Sequence, residues 1–152
     1  MQKKWIAFLL LILNPVILYG RSPPISADAS FLVIVNAHNH IQNLERKYLA
    51  DLFFKKVTHW PEDGVIQPVD LKGDAPVRRK FSEEILNRSV MGVKIYWQQL
   101  IFSGRDVPPP ELQDDAEVIQ YVVQNPNSIG YVSSDSISNI SPQPDIKIVT
   151  VK

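Results

Sequence analysis

Five consecutive apolar residues, Phe31-Leu32-Val33-Ile34-Val35, set the strongest limit on the fold. A run this short and this rich in β-branched side chains reads as a strand, and its lack of polar alternation means that both faces are covered. Such a strand is central in a sheet flanked by helices, which makes the chain an α/β protein. Apolar residues at Leu44, Tyr48, Leu49, Leu52 and Phe53 fall on one helical face and predict a helix over 41–54. Val65 to Leu71 reads as a second short strand, with Pro68 placing it at an edge or a bulge. Helices follow over 77–87, with Pro76 in the first turn, and over 90–102, where Ser103-Gly104 stops the pattern.

After the stiff Pro108-Pro109-Pro110 connector, Asp114-Asp115 opens a helix that Asn125-Pro126-Asn127 ends. Ser128 to Val132 forms a strand in which Gly130 permits close backbone approach, residues 133–144 are loop, and Ile146 to Val151 alternates as a terminal strand. Strands and helices intermix throughout, with no internal repeat and no second-domain boundary. A single small α/β domain over residues 30–152 is expected.

The N-terminus carries a different signature. Lys3 and Lys4 precede an apolar run from Trp5 to Leu18 that is broken only by Asn14 and Pro15. A spanning helix needs about 20 apolar residues, so this run of about 14 reads as the h-region of an export signal. Residues 1–29 are therefore expected to be a signal peptide, cut between residues 20 and 29; an uncleaved anchor helix is the alternative. The chain has no cysteine, which excludes disulfides and thiol chemistry and removes the usual bacterial lipid-attachment site. A periplasmic protein that is soluble, not a lipoprotein and not stably inserted in the membrane follows from this reading.

Lysine and arginine together number 16, as do aspartate and glutamate; loss of Lys3, Lys4, Arg21 and Asp28 with the signal leaves 13 against 15. A near-neutral domain lacks the basic footprint of a nucleic-acid binder, so no nucleic-acid partner is expected. Any anion site must be local.

Five segments in order, FLVIVN (31–36), LADLFFKKVTHWPEDGVIQPV (49–69), VRRKFSEEIL (77–86), YWQQLIFSGRDVPP (96–109) and NPNSIGYV (125–132), carry a resemblance. They resemble the short members, near 150 residues, of the phosphate ABC transporter substrate-binding protein superfamily. That resemblance implies a single periplasmic-binding-protein-like α/β domain with a mixed, mainly parallel sheet flanked by helices. It also implies a solute-binding role toward phosphate or another small oxyanion, with an ABC permease or an envelope sensor protein as partner and no cofactor. One departure stands out. The Ser-Gly-Thr loop of the large phosphate receptors is replaced here by Gly73-Asp74-Ala75-Pro76, which has neither hydroxyl and lacks one N–H. Arg78 falls where the short members carry an arginine before their Phe, and is the best remaining anion ligand.

Two loops supply the candidate oxyanion-binding residues, because helix starts and guanidinium groups both converge donors on negative charge. The first is Asn36, Ala37, His38 and Asn39, behind the first strand, where the alternative role of the two asparagines is helix capping. The second brings Lys72, Arg78 and Arg79 to a helix start, where cations oppose the dipole unless an anion offsets them. An Arg79–Glu83 pair is the ordinary alternative there. His38 and His40 lack a third convincing ligand, so no metal site is assigned. Trp60, Tyr96, Trp97 and Phe102 are expected in the core. Neither a nucleophile motif nor a phosphate loop is present, and the chain is read as a binding protein, not an enzyme. A second reading keeps the fold without the pocket: a non-catalytic envelope interaction or sensor-accessory module.

Overall fold

The computed structural model describes residues 30–62, 64–138 and 145–152. The export signal expected over 1–29 and part of the 133–144 loop lie outside the described residues.

Strand β1 (Phe31–Asn36) occupies the middle of a five-stranded sheet, as its unbroken apolar sequence requires. Its neighbours are β6 (Ser128–Ser133) and β7 (Ile146–Val151), both antiparallel to it. The edges are β2 (Asn43–Leu44), parallel to β7, and β3 (Gln67–Pro68), parallel to β6. The mainly parallel sheet expected from the resemblance is thus found at the two edges only. Both strands that flank β1 come late in the chain and return against it, so the central pairings are antiparallel.

Pro68 sits on an edge strand, where its missing N–H costs no ladder bond. The segment read as one strand over 65–71 is divided. Val65 makes an isolated bridge with His59, β3 holds the sheet edge, and β4 (Asp70–Leu71) leaves the sheet to pair with β5 (Glu111–Leu112). The donor that diverts it is the Asp70 amide, which turns to Pro110 O at 2.9 Å, one residue after Val69 has bonded Ile129 O.

Helix α1 (Arg46–Phe53) begins later than the apolar spacing suggests. Asn39 Oδ1 accepts the Ile41 amide at 2.9 Å, and Asn43 and Leu44 pair with β7, which commits that stretch to turn and strand. Helices α2 (Pro76–Glu84) and α3 (Val90–Phe102) follow, the second capped by the Ser89 hydroxyl on Gly92 N. Helix α4 (Asp115–Gln124) is capped by Asp114, which accepts from Glu117 N at 3.0 Å. A short α5 (Ser134–Ser138) stands where loop was expected; Asp115 holds its start through Ser133 N and Ser136 Oγ.

Both faces of the sheet are covered. In the antiparallel register Val33 faces Tyr131 and Ile34 faces Gly130, so the two pairs point to opposite layers. Tyr131 meets α1 and α2: the Phe81 ring stacks on it at 3.8 Å, and Phe53 and Phe31 lie 4.7 and 5.3 Å from Phe81. On the other face α4 closes over Gly130. A Cβ there would stand 2.7 Å from Val118 Cγ1 and 3.0 Å from Val69 Cγ2, so the glycine marks a close helix-to-strand approach. Both obstacles are stiff branched side chains. We expect Gly130→Ala to destabilise the protein by about 1–3 kcal/mol, read as a lowered urea midpoint with an unchanged slope.

Candidate functional site: a buried aspartate–arginine pair beneath a cleft

Buried apolar residues Val77 and Phe81 set the inward face of α2, and Arg78 and Ser82, one position further on, share the same burial. Arg78 is 2% exposed. A cation this deep requires a counterion, and β4 supplies it: Arg78 Nη2 lies 2.7 Å from Asp70 Oδ2. Nη1 donates to Ser82 Oγ at 2.5 Å, and that hydroxyl in turn donates to Arg78 O at 2.8 Å. The other carboxylate oxygen, Asp70 Oδ1, accepts from Leu71 N at 2.9 Å and from the Tyr131 hydroxyl. Arg78 Nε is buried and has no hydrogen-bond partner, alone in this among the described side chains.

Burial pushes the Asp70 carboxyl above the usual carboxylate range, and the Arg78 guanidinium is the strongest influence pulling it back. Tyr131 is pushed up as well, first by burial and then by the neighbouring Asp70 charge, so its hydroxyl stays a donor. The network thus joins a strand, a helix and the central aromatic stack through one carboxylate.

Above the pair opens a cleft of about 590 Å³. Gly73 and Arg78 bound it on one side, α3 contributes Val90, Trp97 and Ile101, and the chain at Pro109 closes it. Lys94 and Glu111 lie on its rim, both exposed.

The sequence candidates divide between two places. β1 runs antiparallel to β6 while β3, which leads into β4, runs parallel to it. Consequently the loop after β1 and the loop after β4 lie at opposite ends of the sheet, and no single small ligand touches both. At the first end Asn36 is fully engaged: Nδ2 donates to Val122 O and Val123 O at 3.0 Å, and Oδ1 accepts from His38 N at 2.9 Å. It therefore binds the carbonyl end of α4, the wrong end of a helix for an anion. Ala37 N bonds Asp145 O, Asn39 O accepts from the Lys147 ammonium, and the loop runs into β2, not into a helix. His38 is exposed and lines a separate cleft of about 350 Å³ with Trp60 and Asn127.

At the second end the α2 start offers few donors. Pro76 has no N–H, and the amides of Arg78 and Arg79 both turn back onto Ala75 O. Arg79 is exposed; the pair formed on this surface is Lys80–Glu84 at 3.2 Å, not Arg79–Glu83. Lys72 is half-buried and its amide bonds Leu112 O. Asp70, Ser82 and Tyr131 were not among the sequence candidates. Their signal was a lone acid inside an apolar strand, VIQPVDL, eight residues before an arginine. Of the four aromatic residues expected in the core, Trp60 and Trp97 are buried and Tyr96 is half-buried, whereas Phe102 is 89% exposed.

A central strand flanked by late-returning antiparallel partners, helices on both faces and a cleft beside a strand-to-helix loop define the α/β architecture. Solved structures of phosphate transport receptors share this fold. Similarity extends to an ABC-type phosphate transport receptor from Vibrio cholerae, with a TM-score of 0.60 and 18% identity, over 80% of this chain and 45% of that one. PstS from Borrelia burgdorferi gives a TM-score of 0.63 and 19% identity, over 81% and 47%. The chain has the fold of these proteins and spans a little under half their length. No protein-family model and no curated protein sequence matches it.

Proposed function

We propose that the protein is a periplasmic solute-binding protein of the phosphate-receptor fold that holds a small oxyanion above Arg78. The supporting observation is the Arg78 guanidinium itself, buried at the floor of a cleft beside a strand-to-helix loop, since a planar guanidinium is well suited to hold an oxyanion. The receptors that share the fold are named for phosphate transport, which favours uptake and a non-catalytic role. Periplasmic location rests on the N-terminal sequence; among the described residues no helix is long and apolar enough to cross a membrane.

A second reading rests on α3. Met91, Ile95 and Phe102 form an exposed apolar stripe on this helix, a surface suited to an importer's permease or an envelope sensor. Calorimetry of the purified protein with phosphate and sulfate separates the two. Binding that weakens about tenfold or more in Arg78→Lys, which keeps the charge but loses the planar fork, supports the receptor reading. No heat with any anion, together with specific recovery of a membrane partner that is lost in Phe102→Asp, supports the second.

A further inference from the structure

The cleft above Arg78 is far larger than a hydrated phosphate requires and is walled mainly by carbon. From this we infer that its ligand is an organic anion, an acidic head group on an apolar or aromatic body; this deepens the receptor reading and rests on it. Three observations converge. The first is size: about 590 Å³ lies within the range of sites that enclose whole organic molecules. The second is lining. Val90, Trp97, Ile101 and Pro109 present apolar surface, and the flexible Met91, 63% exposed, also lines the cleft.

The third is charge. Asp70 already neutralises the Arg78 guanidinium at 2.7 Å, so the floor presents a paired site and not a full positive charge. A compact dianion gains little from such a floor and gives up its hydration shell. A head group that needs one good donor, followed by a body that displaces water from apolar walls, gains from both parts. Arg78 lines the floor with its planar guanidinium, and on the rim Lys94 adds a solvated cation opposite in sign to the equally exposed Glu111. The ligand is thus oriented head-down along α3, its apolar part between Trp97 and the chain at Pro109.

Titrating the purified protein in parallel with inorganic phosphate, phenyl phosphate and benzoate tests this. We expect phenyl phosphate and benzoate each to bind at least about tenfold more tightly than inorganic phosphate, because the ring adds buried apolar surface at no electrostatic cost. Trp97 emission should shift on binding and the shift should vanish in Trp97→Phe. Ile101→Asp alters a residue that is 48% exposed, so the fold is retained; it should weaken both aromatic ligands about tenfold while leaving the melting temperature within a few degrees. Equal affinity for phosphate and phenyl phosphate, or aromatic binding untouched by Ile101→Asp, overturns the organic-anion assignment while leaving the receptor reading in place. Absence of binding by all three probes overturns both.

Discussion

Arg78→Met should lower the stability of the protein by about 3–5 kcal/mol at neutral pH, the cost of leaving a buried carboxylate without its cation. The side chain that remains is close in volume, so the loss reports the Asp70 charge, not a cavity. The same variant should be less damaged in acid. Burial already raises the Asp70 pKa, and removing the guanidinium that opposes this raises it further. A folded-state pKa above the unfolded value means that stability is retained below the unfolded pKa and lost as pH rises through the folded one. Chemical denaturation of Arg78→Met at pH 5 and pH 8 should therefore show the smaller deficit at pH 5. The double variant Asp70→Leu/Arg78→Met should recover most of the loss at both pH values, because two apolar groups replace both charges. A deficit independent of pH would show that packing, not charge, governs the site.

Phe81→Ala is expected to be comparably severe, at about 3–5 kcal/mol. The ring is fully buried, stacked on Tyr131 at 3.8 Å and in edge contact with Phe31 at 5.3 Å, so its removal opens a void that three stiff aromatic neighbours cannot collapse into. Phe81→Leu should recover at least half of the loss, since it keeps most of the volume but none of the ring geometry. Thermal unfolding of the pair measures this, and a full recovery by leucine would show that ring stacking adds nothing beyond volume. Tyr131 links the two predictions, because its ring supports Phe81 while its hydroxyl donates to Asp70.

The fold was legible wherever side-chain periodicity reports burial directly. The unbroken FLVIV run marked the central strand, Pro68 marked an edge, and Gly130 marked close approach; all three are properties of one residue or one short run. Strand direction was not legible in that way, because apolar runs look alike in parallel and antiparallel ladders, and the sheet centre proved antiparallel. The candidate site was legible in part. Arg78 stood out by its position and lies beside the cleft, but its partner Asp70 is a short-chain acid whose burial depends on where β4 leaves the sheet. The two asparagines of the first loop illustrate the reverse problem. Amide side chains donate equally well to a ligand or to the protein's own backbone, and only the position of α4 decided that Asn36 serves the latter.

The place of β7 bears on the order in which the sheet can close. Its six residues, last in the sequence to form a strand, wedge between β1 and β2 and supply one entire flank of the central strand. Until residues 146–151 dock, β1 keeps an open row of amides and carbonyls on that side, so closure of the sheet waits on a segment more than a hundred residues away in the chain.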